Sequence, residues 1–161
     1  MKMTEKQFEI AKFLHGRDGK GASAAKEVLV NGLSQSEAAR LYDVSRQMVF
    51  SSSERIVENY LKALRIKEAF EKATAAGSEP TALEKYDIQL LVAINTARKS
   101  KVRKAIYDVM VLGVTPKEAA KTYGIYANGV HTAIRQANER YLKAVEVKRM
   151  FDDILENQGG S

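Results

Sequence analysis

The 161-residue chain has no cysteine, no tryptophan, two prolines, two histidines and 7% aromatic residues. Without cysteine, disulfides and thiol chemistry are excluded. His15 and His131 alone, far apart in sequence, are too few for a His/Cys metal centre. No stretch approaches the roughly 20 apolar residues that cross a bilayer, so no membrane partner is expected. The opening Met1-Lys2-Met3-Thr4-Glu5-Lys6 lacks the apolar core of a signal peptide, which predicts a cytoplasmic protein. The sparse aromatics and the absence of alternating strand patterns speak against RNA modules built on stacking sheets. Clustered acids, a nucleophile beside a base and a phosphate-cradling glycine loop are also missing, so neither an enzyme nor a cofactor is predicted.

What is present is 45% apolar residues, enough for real cores, and a formal charge of +6. A basic balance favours a polyanionic partner. Residues 1–80 carry 13 basic and 11 acidic side chains and residues 81–161 carry 13 and 9, so both halves are basic.

Sliding the sequence on itself by 81 residues aligns Gly32–Phe70 with Gly113–Phe151 without a gap, and 13 of 39 pairs are identical. The identities include Gly32/Gly113, Glu37/Glu118, Ala38/Ala119, Ala39/Ala120, Tyr42/Tyr123, Val49/Val130, Tyr60/Tyr141 and Phe70/Phe151. Chance likeness of two amphipathic helices would not fix glycines and alanines together, so two copies of one unit are expected. Between them, Ala75-Ala76-Gly77-Ser78-Glu79-Pro80 is a helix stop, which predicts domains at 1–77 and 81–158, with 159–161 a flexible tail.

Each copy reads as helices, at residues 4–14, 22–31, 35–42 and 46–75, then 82–98, 101–112, 116–123 and 127–156. Apolar positions in the two last helices keep helical spacing, at Ile56, Tyr60, Leu61 and Leu64 and at Tyr141, Leu142, Val145, Met150, Phe151, Ile154 and Leu155. At about 1.5 Å per residue each spans roughly 45 Å, more than one small domain needs. They are expected to pack on each other or on a second chain as a homodimer. The predicted fold is therefore all-α, with tandem duplicated helix-turn-helix units, each followed by a long helix.

The helix-turn-helix reading rests on GLSQSEAARLYDVSRQMVFSSSERI and GVTPKEAAKTYGIYANGVHTAIRQA. In both, Ser34 or Thr115 stands three residues before Glu37 or Glu118, the reciprocal capping box that starts a helix. Pro116 takes the first helical position, where its missing N–H does no harm. The paired alanines allow a following helix to cross closely. Asp43 and Gly124 stand at the turn, residue types that enter the left-handed region more readily than most. Val44 and Ile125 then plug the turn, Ser45 caps the next helix, and Val49 and Val130 face inward.

From about Met3 to Val57, carried by MTEKQFE and AKEVLVNGLSQSEAARLYDVSRQMV, the chain resembles the plasmid KorA/TrfB transcriptional repressors. The resemblance implies a short N-terminal helix before a helix-turn-helix that binds operator DNA as a dimer, and it implies repression. The second copy, KVRKAIYDVMVLGVTPKEAAKTYGIYANGV, resembles the PapB-type regulators of adhesin genes. Where KorA-like proteins carry a separate dimerisation domain, this chain has a long helix and its second copy.

A recognition helix places its N-terminal side chains on base edges in the major groove. In the first copy the candidates are Ser45, Arg46, Gln47, Phe50 and Ser51, with Gln35 and Arg55 beside them. Arg pairs with guanine and Gln with adenine, while Phe50 either touches a thymine methyl or packs against its own long helix. In the second copy they are Ala127, Asn128, His131 and Thr132, with Asn128 the adenine reader. Tyr126, Arg135, Gln136 and Lys117 are candidates for phosphate contact. The run Arg98-Lys99-Ser100-Lys101-Val102-Arg103-Lys104 holds five cations, of which Lys101, Arg103 and Lys104 open a helix and either clamp phosphate or form a solvated face. Ser51-Ser52-Ser53 inside a helix suits either close packing or close DNA approach.

Because the recognition helices differ at nearly every exposed position, one chain is expected to read two unlike half-sites of double-stranded DNA about 34 Å apart. The competing reading is a DNA-recognition adaptor, such as a phage small terminase subunit or a plasmid partition or conjugation accessory factor.

Overall fold

In the computed structural model, which describes residues 1–16, 18–75, 77–93 and 100–156, every regular element is a helix and no strand forms among the described residues. The helices are α1 (Glu5–His15), α2 (Lys20–Lys26), α3 (Gln35–Tyr42), α4 (Arg46–Ala73), α5 (Ala82–Val92), α6 (Lys101–Met110), α7 (Pro116–Tyr123) and α8 (Ala127–Glu156). Among the described residues, no helix is long and apolar enough to cross a membrane.

The sequence spacing places α3, α7 and α8 at their observed bounds, and the reason is chemical. Each short helix has a capping box in which the Glu37 or Glu118 amide donates to Ser34 Oγ (3.2 Å) or Thr115 Oγ1 (3.3 Å), and the glutamate accepts the cap residue's amide in return. Each ends on a left-handed residue, Asp43 at φ 52° or Gly124 at φ 63°. The left-handed turn brings the Val44 amide to the Ala39 carbonyl and the Ile125 amide to the Ala120 carbonyl, both at 3.0 Å. Ser45 caps α4 as expected, its Oγ accepting from the Met48 amide at 3.1 Å.

Elsewhere the helix ends differ from the sequence reading. Helix α2 starts two residues early, at Lys20, and its last turn widens into a π turn over Glu27–Asn31. Beside that turn, the Leu29 carbonyl accepts the Met3 amide at 2.8 Å, which ties down the N-terminus. Helix α6 stops at Met110 rather than 112, and α4 at Ala73 rather than 75. Helix α5 ends at Val92, with Ala93 extended at ψ 129°; the expected helical residues 94–98 lie outside the described residues, as do 157–161 with the expected tail.

The chain divides into two compact units, Met1–Arg65 with Arg149–Ser161, and Ile66–Lys148. This division cuts through α4 and α8 instead of falling at residues 77–81, because the ends of the two long helices are exchanged. In the first unit Ala24, Ala38, Ala39 and Val49 form a buried cluster covered by Val28, Tyr42 and Val44. In the second, Ala105, Ala119, Ala120 and Val130 do the same under Val109, Tyr123 and Ile125, each 81 positions on. Alanine at these crossings removes the side-chain bulk that would hold α3 and α7 off their neighbours.

The long helices meet through a reciprocal aromatic pattern. In the first unit the Tyr60 ring lies 6.3 Å from Phe151, and in the second the Tyr141 ring lies 5.9 Å from Phe70, both tilted by 42°. Tyr60 corresponds to Tyr141 and Phe70 to Phe151, so each copy gives one tyrosine and one phenylalanine. Ala137, Ala144, Val147 and Phe151 form a buried stripe along α8, with Ala137 packed against Tyr86 and Ile106.

Candidate nucleic-acid interface

The first turns of α4 and α8 emerge from the left-handed turns with one buried anchor each, Val49 and Val130, both wholly buried. With that residue fixed inward, the 100° step of a helix turns positions two before, one after and two after it toward solvent. Ser45, Arg46 and Gln47 are exposed in the first unit, and Tyr126, Asn128, His131 and Thr132 in the second. Tyr126 retains 90% exposure, unusual for so large an aromatic with no packing role. Arg55, Lys101, Lys104, Lys117 and Arg135 are exposed, with Arg135 Nε 4.0 Å from the Glu139 carboxylate.

Other candidates sit differently. Ser51 is half-buried, and its hydroxyl accepts from Gln47 Nε2 at 3.4 Å. Phe50, 40% exposed, borders a groove with Gln35, Val28, Ser53 and Val57. Arg103 is half-buried, its Nε donating to Tyr86 Oη at 3.3 Å, so it is turned toward α5. Gln136 borders the same hollow as Arg103. Arg98 and Lys99 of the basic run lie outside the described residues.

The serine run has a packing explanation. A Cβ placed on Gly21 of α2 would stand 2.7 Å from Ser52 Oγ, so α2 lies directly against α4 there. Ser53 is buried with no hydrogen-bond partner for its hydroxyl among the described residues.

The local charge is one-sided. The twenty residues from Ala119 to Asn138 contain no acidic side chain, nor do the ten from Val44 to Ser53. Both stretches lie at a helix N-terminus, where unpaired amides add partial positive charge. The glutamates that open the preceding short helices are occupied: hydrogen bonds from Ser34 to Glu37 and from Thr115 to Glu118 hold both carboxyls below their usual range.

One matching pair escaped the sequence reading. Tyr42 Oη donates to the Glu27 carboxylate at 3.2 Å, and Tyr123 Oη donates to Asp108 at 2.8 Å. The repeat thus extends upstream, through Ala24/Ala105 and Val28/Val109 as well. Burial first, then the bond to Glu27, raises the Tyr42 phenol above its ordinary range; for Tyr123 the bond to Asp108 comes first. The signal was available as an acid fifteen residues before each tyrosine, but Glu27 and Asp108 are not identical residues, so an identity search passes over them.

Comparison of the chain with protein-family models, with curated proteins and with solved structures finds no match. The functional reading therefore rests on this chain's own geometry.

Proposed function

We propose that this chain is a sequence-specific double-stranded DNA-binding transcriptional regulator, a repressor, in which α3–α4 and α7–α8 are tandem helix-turn-helix units. The observation that carries the reading is the shared register. Two copies of a capped short helix, a left-handed turn and an alanine-lined crossing each present an acid-free N-terminal helical turn to solvent. Gln47 and Asn128 share one register position and are both exposed, with Arg46 and Thr132 exposed beside them. In the major groove Arg46 and Gln47 read guanine and adenine, Asn128 reads adenine, and Tyr126, Lys117 and Arg135 hold phosphates.

Each of α4 and α8 begins with one candidate recognition turn, so a single polypeptide supplies both recognition helices. A second copy is then not needed to complete an operator, and the site read is asymmetric.

The test is selection of bound duplexes from a random library by the wild type, by Arg46→Ala/Gln47→Ala and by Asn128→Ala/Thr132→Ala. Each pair is expected to erase a different half of one asymmetric motif, every lost base contact costing about 1–3 kcal/mol of discrimination. If the second pair leaves the motif unchanged, α8 is a structural partner. If the wild type enriches no motif, the regulator reading is overturned in favour of a DNA-recognition adaptor or a protein that does not read sequence.

A further inference from the structure

Each long helix carries a second stripe that the folded chain leaves open. On α4 it runs through Glu54, Val57, Leu61, Leu64 and Glu68, at steps of three and four residues that keep to one face of a helix. The buried positions of the same helix, Ile56, Ala63, Ile66 and Phe70, point roughly 150° away from it. On α8 the residues 81 positions on are Arg135, Asn138, Leu142, Val145 and Arg149. Leu61 is 46% exposed, Leu142 66% and Val145 40%, with Leu64 half-buried. The four charged residues are exposed, Arg135 with Glu139 at 4.0 Å and Arg149 with Asp153 at 3.7 Å on their own helix.

A single exposed leucine carries no meaning. Here the exposure is repeated. Among the 13 identical pairs of the two repeats, Leu61/Leu142 is the one large apolar pair exposed in both; the other large apolar pairs are buried or half-buried. The core places no demand on a position that faces solvent, so its retention calls for a contact outside the chain.

The charges around the leucines define what makes that contact. Seven residues to either side, α4 carries glutamate and α8 carries arginine. Laid parallel and in register, the two stripes bring Leu61 to Leu142 and Leu64 to Val145, with Val57 beside Asn138. Glu54 then meets Arg135 and Glu68 meets Arg149. A parallel pair of two α4 helices sets glutamate on glutamate at both ends, and a parallel pair of two α8 helices sets arginine on arginine. Reversing α8 so that the same apolar residues meet brings Glu54 to Asp152. Of these arrangements only the parallel, unlike pair matches both charges. Since both stripes are exposed in the folded chain, they do not cover each other within it, and the matching stripe has to come from another molecule.

We propose that this chain self-associates by laying the exposed stripe of α4 on the exposed stripe of α8 of a second molecule, parallel and in register. Every molecule offers both stripes, so the contact joins unlike surfaces of identical chains. Arg135, assigned above to a phosphate, faces Glu54 in this contact. A duplex and a second molecule therefore compete for it, a consequence that rests on the DNA-binding reading, whereas the association does not.

The experiment is sedimentation of the full chain, without DNA, over a dilution series reaching millimolar concentration. Reversible, concentration-dependent association is expected. Glu68→Arg and Arg149→Glu are each expected to weaken it at least tenfold with the helical circular dichroism unchanged, because like charges then face each other. Mixed in equal amounts, the two variants are expected to associate within about threefold of the wild type, since the charge pair re-forms with its signs exchanged. A wild type that stays monomeric throughout would overturn the proposal, as would a mixture no stronger than its separate parts. Loss in Arg149→Glu with none in Glu68→Arg would overturn it in favour of α8 on α8. A selected duplex that leaves the association unchanged removes only the competition for Arg135. Failure to enrich any duplex while the chain associates removes only the DNA reading.

Discussion

The two compact units share a core and differ at its edges. Four buried positions recur 81 residues apart, as do the glutamate-capped short helix, the left-handed turn and the tyrosine bonded to an upstream acid. What varies is peripheral: a π turn after α2 but not α6, Asp43 against Gly124, Gly21 against Val102, Ser45 capping α4 where Tyr126 stands bare. The lesson is that the crossing of a short helix on its successor tolerates no bulk and so repeats nearly unchanged. The outward turns face no such constraint and can diverge into two different surfaces.

The comparison breaks most readily in the core. Val49→Ala and Val130→Ala each leave a void at a wholly buried position and are expected to cost about 1–3 kcal/mol, equally in the two units. Chemical denaturation of both variants measures this, and losses differing by more than about 1 kcal/mol would show that the two cores are not equivalent.

Transplanting the second unit's edge into the first has the next effect. Gly21→Val forces a side chain into the α2–α4 contact and is expected to lower stability by about 1–2 kcal/mol. Adding Ser52→Ala, which recreates the Val102/Ala133 pairing, restores part of it. A Gly21→Val variant as stable as wild type in a thermal melt would mean that the first unit opens without penalty.

A smaller effect sharpens the turn comparison. Among the described residues Asp43 is the one non-glycine at positive φ, and its counterpart is Gly124. Asp43→Gly is expected to stabilise, and Gly124→Asp to destabilise, by about 0.5–1 kcal/mol, since the left-handed region costs an L-residue more than glycine. Opposite signs in denaturant midpoints carry the prediction, and equal signs would end it.

The smallest effect depends on pH. Glu37 and Glu118 titrate below their usual range because the Ser34 and Thr115 caps bond the ionised form. A carboxyl lowered on folding contributes stability that is full above its unfolded pKa and lost as the pH falls through the folded value. Against Glu37→Gln and Glu118→Gln, the wild type's advantage in thermal midpoint should therefore shrink through the acidic range, alike in both units. An advantage independent of pH would show that charge plays no part in these caps; Gln7 already serves the capping box of α1 without one.

The sequence by itself determined the helical class, the bounds of α3, α7 and α8, and the inward residues Val49 and Val130. These depend on interactions within about four residues: a hydroxyl three positions before a glutamate, a residue tolerant of positive φ, a helical apolar period. It also made Arg46, Gln47, Asn128 and Thr132 visible, because exposure follows from the phase of one helix once its anchor is known. Only the tertiary structure decided which ends of α4 and α8 belong to which compact unit, that Tyr60 meets Phe151 and Tyr141 meets Phe70, that Arg103 turns toward Tyr86, and that the Gln89 side-chain oxygen is buried without a hydrogen-bond partner among the described residues. Each of these depends on atoms brought together across long stretches of chain, and their geometry is set by how helices pack, which a local pattern of residues does not encode.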